Sequence, residues 1–316
     1  MRRSLVTAGL GLLLLAAGAC SSNDHTTTAA SGSAKGIATD GPRVLSVVTT
    51  TTQLTDFAKV IGADHVKVYG VLKANVDPHD YEPSPADLDA IGKADVLFKN
   101  GVGLEKWFDQ VILSANPKAK VVDASQGVTV RQGEGDKEKL GDPHIWHNPQ
   151  NAIIMATTVE RALETADPGS KATFQKNLAD YTAELNRLDA DIKAQIDSLT
   201  NKKLVTNHDA FGYFIDHYGL DYVGAIIPSL DTSAELSARD ISGIVAKIKS
   251  TGTKAVFSES SLPPKTAEAI GREAGVKVVA GEDALYGDTL GPEGSDGDTY
   301  LKMERHNTKV IVDNLR

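Results

Sequence analysis

The chain has 316 residues, 41% of them hydrophobic and 24% charged, a composition suited to two folded lobes of roughly 100–150 residues each. A formal net charge of −9 argues against binding nucleic acid through its phosphates. A single cysteine excludes a disulfide framework and any Cys-rich zinc module.

The N-terminus reads as a targeting segment. Arg2 and Arg3 form a charged start, and Leu5 to Ala19 is almost wholly apolar. That run is too short for a typical transmembrane helix and fits the apolar core of a signal peptide. It ends in Ala17-Gly18-Ala19-Cys20, which resembles a bacterial lipobox. The expectation is a signal peptide over 1–19 and a lipidated Cys20 that anchors the chain to the bacterial cell membrane. The alternative is an ordinary cleaved signal with an incidental thiol. Residues 20–42, rich in Ser, Thr, Gly and Ala, read as a disordered tether.

Beyond the tether, short β-branched runs alternate with helical patterns. Strands are expected at Leu45–Thr50, Val66–Val71, Val96–Phe98 and Lys120–Val122, with helices near Leu54–Ile61, Pro85–Lys93 and Glu105–Ala115. A second set follows at Leu204–Thr206, Tyr222–Ile226, Ala255–Phe257 and Val276–Ala280, with helices at Asp240–Lys249 and Lys265–Ala274. This alternation predicts an α/β fold of two lobes, each with a four-stranded parallel sheet. Between them Phe174, Leu178, Tyr181, Leu185, Leu188, Ile192, Ile196 and Leu199 share one helical face. With Asp167 as N-cap and Pro168 first, one linking helix over 168–199 would span about 45–50 Å. The expected organisation is a lobe over 43–166, a spine over 167–200 and a second lobe over 201–316.

Asp77-Pro78-His79 follows the second strand, and Asp142-Pro143-His144 follows the fourth. Asn207-His208-Asp209 comes directly after the first strand of the second lobe, and Asp288 lies past its last strand. Ligands of open α/β sheets collect at the carboxyl ends of strands. Three imidazoles and one carboxylate could therefore converge between the lobes as a four-ligand set for a divalent transition metal. Asp77, Asp142, Asp209 and Glu259 are candidates to orient the imidazoles, and equally read as solvated loop charges. A lone histidine after a strand is commonly a loop hydrogen-bonder. Nothing local brings these four together, so spacing alone leaves both readings open. His147, three residues past His144, competes for the same role. His25 falls in the tether, His65 and His306 lie outside these motifs, and His217 belongs to a helix; Trp107 and Phe108 read as core.

Longer matches carry a resemblance. The stretches His79-Asp80-Tyr81-Glu82-Pro83-Ser84-Pro85 and Asn100-Gly101-Val102-Gly103-Leu104-Glu105-Lys106-Trp107 come first, then Asp142-Pro143-His144-Ile145-Trp146. Asn207-His208-Asp209-Ala210-Phe211-Gly212-Tyr213-Phe214 follows, and Gly287-Asp288-Thr289-Leu290-Gly291 precedes Gly297-Asp298-Thr299-Tyr300-Leu301. In this order they resemble the cluster A-I, or ZnuA/TroA-like, metal-binding receptors of ABC transporters, over about residues 43–316. The resemblance implies two α/β lobes joined by one long helix and a metal held in the cleft by His79, His144, His208 and Asp288. Two features depart from family habit: Arg131–Gly141 is short and His-free where a His-rich loop often stands, and Met303-Glu304 replaces a commoner Met-Met, a change that looks peripheral to the site.

The expected function is an extracytoplasmic, non-enzymatic lipoprotein that captures a divalent metal and passes it to an ABC permease of the cytoplasmic membrane, acting as a monomer without nucleic acid. Three nitrogens and one carboxylate favour zinc, with manganese next. The rival readings are a zinc-dependent hydrolase and an adhesin. Three histidine ligands also imply that affinity falls in mild acid, below about pH 6.

Overall fold

The computed structural model describes residues 43–133 and 139–316. The expected signal segment, the Cys20 anchor, the tether and His25 lie outside the described residues. The first lobe begins β1 (Leu45–Thr49), α1 (Thr52–Gly62), β2 (Val66–Gly70) and α2 (Pro85–Lys93). It continues with β3 (Val96–Lys99), α3 (Phe108–Ala115) and β4 (Val121–Asp123). The strands form one all-parallel sheet in the order β2-β1-β3-β4. Local chemistry starts the helices. The Thr51 hydroxyl accepts from the Leu54 amide at the head of α1. Ser84 and Asp87 close a reciprocal capping box on α2, with Pro85 in its first turn.

The helix expected from Glu105 begins only at Phe108. Glu105 is buried, and its carboxylate accepts from the Asn100 amide at 2.6 Å and the Thr50 hydroxyl at 2.5 Å. That side chain closes the Gly101–Leu104 turn instead of starting a helix.

Two long helices follow, α4 (Pro149–Ala166) and α5 (Lys171–Asp197). The strand-and-helix expectation contained no counterpart to α4, although Asn148 caps it and Ala152, Met155, Ala156, Val159 and Leu163 form its buried stripe. α5 has 27 residues, about 40 Å, and is unbroken at Lys176. It starts three residues later than the pattern suggested. Asp167 accepts from the Gly169 amide and the Ser170 hydroxyl, and these short bonds hold Pro168–Ser170 in a 3₁₀ turn. Phe174, Tyr181, Leu185, Leu188, Ile192 and Ile196 are the buried face of α5. They join a single apolar core that extends from Leu45 and Phe57 in the first lobe to Phe257 and Ile311 in the second.

The second lobe holds β5 (Lys203–His208), α6 (Gly212–Tyr218), β6 (Asp221–Ile227), α7 (Ala238–Thr251) and β7 (Ala255–Phe257). It ends with α8 (Lys265–Ala274), β8 (Lys277–Val279) and α9 (Tyr300–Leu315). The four expected strands all form, but as two parallel ladders, β5-β6 and β7-β8, rather than one continuous sheet. β7 lies beside β5 without a ladder between them among the described residues. The amide of His208 is turned instead to the Glu259 carboxylate, at 2.9 Å. Among the described residues no helix is long and apolar enough to cross a membrane.

Candidate metal centre

Each Asp-Pro-His loop is built the same way. In the first, the Asp77 carboxylate accepts the His79 amide at 2.9 Å. In the second, the Asp142 carboxylate accepts the His144 amide at 3.0 Å. The proline between has no N–H to offer, so the aspartate two residues back closes the turn. Each proline carbonyl is then tied to the first lobe. The Trp107 indole donates to Pro78 O at 3.0 Å, and Asn100 Nδ2 to Pro143 O at 2.9 Å. Phe108 is buried as core, while the half-buried Trp107 also secures the His79 loop.

His208 is the last residue of β5, at the carboxyl end of that strand, and Asp288 sits in the loop after β8. All four side chains converge. His79 Nε2 and His208 Nε2 each lie 3.3 Å from His144 Nε2. Asp288 Oδ1 is 3.4 Å from the Nε2 atoms of His144 and His208 and 3.9 Å from that of His79. One donor atom from each of the four lies within 4.8 Å of the others. Zinc–nitrogen bonds of about 2.0–2.1 Å in a tetrahedron place donors about 3.3 Å apart, so the spacing suits a four-coordinate ion. His144, His208 and Asp288 are sealed from solvent, and His79 is 9% exposed beside a recess of about 70 Å³. A wider groove of about 670 Å³, lined by Arg131, Tyr222 and Lys247, contains none of the four.

Both oxygens of Asp288 are buried without a hydrogen-bond partner in the protein. A buried carboxylate left so costs free energy unless a cation satisfies it. The Nδ1 atoms of two of the imidazoles are occupied. His144 Nδ1 meets Asp142 Oδ1 at 2.8 Å, and His208 Nδ1 meets Glu259 at 2.9–3.0 Å. These carboxylates keep the Nδ1 protons and leave Nε2 free to coordinate. Asp77 instead bonds the His79 amide and the Thr232 hydroxyl, and Asp209 bonds no imidazole nitrogen of the cluster.

The charges follow from this packing. Burial opposes a charge on His144, but Asp142 and Asp288 outweigh it and push the imidazole up to about 9. Burial is likewise overcome at His208, which Glu259 and Asp288 raise well above the ordinary value. His79 is pulled down to about 3, chiefly by burial, with His144 and His208 adding to the pull against Asp288. Burial would raise Asp288, yet the imidazoles around it hold its carboxyl well below the usual range. Proton competition at this cluster therefore extends above the mildly acid range that unperturbed histidines imply.

The remaining described histidines are engaged elsewhere. His65 meets Ser170, His217 meets Asp189 and His306 meets the Ala284 carbonyl. His147 stays outside the cluster: its Nε2 faces Gly287 O at 2.8 Å and its Nδ1 faces Glu304 at 3.0 Å. Asn100 and Trp107, which hold the two loops that carry His79 and His144, were not assigned this role from the sequence. Asn100 and Trp107 do stand within the motif that follows β3.

Residues 47–314 match the family described as ZnuA, zinc-uptake complex component A, periplasmic. The chain is 34% identical over 281 residues to an iron ABC transporter substrate-binding lipoprotein, MtsA, of Streptococcus pyogenes serotype M1, covering 86% of this chain and 89% of that protein. It is 32% identical over 296 residues to a manganese ABC transporter substrate-binding lipoprotein, PsaA, of Streptococcus anginosus, covering 90% and 94%. Among solved structures, the periplasmic zinc-binding protein TroA from Treponema pallidum superposes with a TM-score of 0.78 at 31% identity, over 85% of this chain and 98% of TroA. With its fold and the order of its four motifs, the chain belongs to the ZnuA/TroA family of ABC-transporter substrate-binding proteins, which bind solutes and are not enzymes.

Proposed function

We propose that this protein captures a divalent transition metal outside the cytoplasm and hands it to an ABC permease. His79, His144, His208 and Asp288 are the ligands, and zinc is preferred over manganese. The observation that carries the reading is the orphaned Asp288 carboxylate facing three Nε2 atoms, two of them on rings that Asp142 and Glu259 orient from behind. Three nitrogens and one oxygen suit zinc, and the Irving–Williams order places zinc above manganese at such a site. Relatives named for iron and manganese match this chain in sequence, and a solved structure named for zinc binding shares its fold. Four protein donors fill a tetrahedral ion and leave no position for a reacting water, which favours carriage over hydrolysis.

In this reading residues 1–19 direct export, Cys20 carries the lipid, and 20–42 tether a first lobe of 43–166. The spine of 167–200 joins it to a second lobe of 201–316, and the protein works as a monomer. The test is elemental analysis of purified protein followed by competition between equimolar zinc and manganese. Zinc retained at one ion per chain is the expected result. Retention of manganese against zinc overturns the metal assignment. Membrane partitioning of Cys20→Ala that matches the parent overturns the anchor.

A further inference from the structure

His147 and Glu304 form a buried pair that the four-ligand site does not use. Both are fully buried, His147 between the Asp142-Pro143-His144 loop and α4, Glu304 in the first turns of α9. The His147 ring stacks on Phe211, with centroids 4.4 Å apart and planes 25° apart. Its Nε2 faces a carbonyl, so that nitrogen carries a proton and donates it to Gly287 O at 2.8 Å. Its Nδ1 shares a proton with Glu304 Oε1 at 3.0 Å. The same carbonyl accepts the Trp146 indole at 3.1 Å.

Gly287 immediately precedes Asp288. The carbonyl that His147 and Trp146 hold belongs to the peptide unit leading into the ligand. The next carbonyl, of Asp288 itself, accepts from Gln53 Nε2 at 3.0 Å, and the Leu290 amide donates to the Thr52 hydroxyl at 2.8 Å. The peptide planes on both sides of the Asp288 Cα are thus pinned by side chains of the first lobe, although the loop belongs to the second. The Glu259 carboxylate packs closely against the other face of Gly287, where a Cβ would stand 2.1 Å from Glu259 Oε2, so the position admits only glycine. With both planes held, the carboxylate has one direction in which to leave the backbone, and that direction meets the three imidazoles.

We propose that His147, backed by Glu304, is a positioning residue for the bound metal: through the Gly287 carbonyl it sets the orientation of the Asp288 carboxylate. The inference rests on the metal-binding reading above. Partners that orient a ligand typically contribute about 10–100-fold in metal affinity. Removing His147 alone would strand Glu304 in the core, so the pair is replaced together.

The test uses the full chain with His147→Leu and Glu304→Met combined. The readouts are zinc affinity by chelator competition and the visible d–d spectrum after loading with cobalt(II). The expected result is a loss of roughly tenfold or more in zinc affinity with shifted cobalt bands. In an Asp288→Ala background the same double substitution should change affinity by less than about threefold, because its route to the metal is already gone. Should the double variant not fold, His147→Phe with Glu304→Gln keeps the shape and is read the same way. Parent-like affinity with an unchanged cobalt spectrum overturns the inference, as does an equal loss in the Asp288→Ala background. If the unsubstituted protein binds neither ion, or binds zinc equally after Asp288→Ala, the metal reading itself has failed and this inference falls with it.

Discussion

The two Asp-Pro-His loops share a tripeptide and a backbone turn, yet they deliver imidazoles of opposite character. Asp142 reaches both the amide and Nδ1 of His144. Asp77 takes only the His79 amide and spends its other oxygen on Thr232, from the loop after β6. His144 is sealed and pushed up to about 9, while His79 borders a recess and is pulled down to about 3. The turn follows from spacing, since an aspartate two residues before an amide can always accept it. The chemistry of each ring follows from the carboxylate that reaches it through space. His144 is therefore the anchored, strongly basic imidazole of the cluster, and His79 is the neutral one at the solvent side.

That contrast can be broken by substitution. The largest effect is expected on losing a ligand. His144→Ala or Asp288→Ala should weaken zinc binding by more than the roughly 100-fold that orienting partners can supply. His79→Ala, at the open edge where water can take the vacated position, should be the mildest of the three. Chelator competition on the purified variants measures all of them, and equal losses at His79 and His144 would dissolve the comparison.

Next in size come the two aspartates. Asp142→Ala removes the carboxylate behind His144 Nδ1 and should cost about 10–100-fold in zinc affinity. Asp77→Ala removes ordinary hydrogen bonds and should cost about fivefold or less, the worth of roughly one net hydrogen bond. Calorimetric titration of the two variants side by side checks the ratio, which sinks the argument if it is near one.

The last expected effect is on pH dependence. Zinc must displace the His144 proton below about pH 9 and that of His208, which is raised well above its ordinary value, whereas His79, lowered to about 3, releases none across the neutral range. Affinity should therefore still rise by more than about tenfold between pH 7.5 and 9. The metal-free fold should respond in the opposite sense. A folded value of about 9 lies above the unfolded value near 6.5, so the stability from that proton is complete below about pH 6.5 and is lost as pH rises through 9. Melting temperatures of metal-free protein that stay level from pH 6.5 to 9 would contradict the assignment of His144 as the basic partner.

Much of this was legible in order along the chain. The strand runs, the apolar face of α5 and the four motif positions depend on residues adjacent or one helical turn apart, and such neighbours are fixed by chain geometry. The signals of α4 are equally local, with Asn148 and Pro149 at its start and a buried stripe at helical spacing. Glu304 read as peripheral from its place in the sequence, and the fold brings it against a ring 157 residues away.

What only the tertiary structure decided concerns partners remote in sequence. Glu259 meets His208 across 51 residues, through both its amide and its ring. His147 and His144 are three residues apart, but the Gly287 carbonyl and Glu304 occupy one ring while the other faces the empty carboxylate oxygens of Asp288. The sequence by itself determined which residues stand at the strand ends. It could not determine which imidazole is charged, neutral or spent, because burial and Coulomb interactions act through space and depend on groups that only the folded chain brings within a few ångströms.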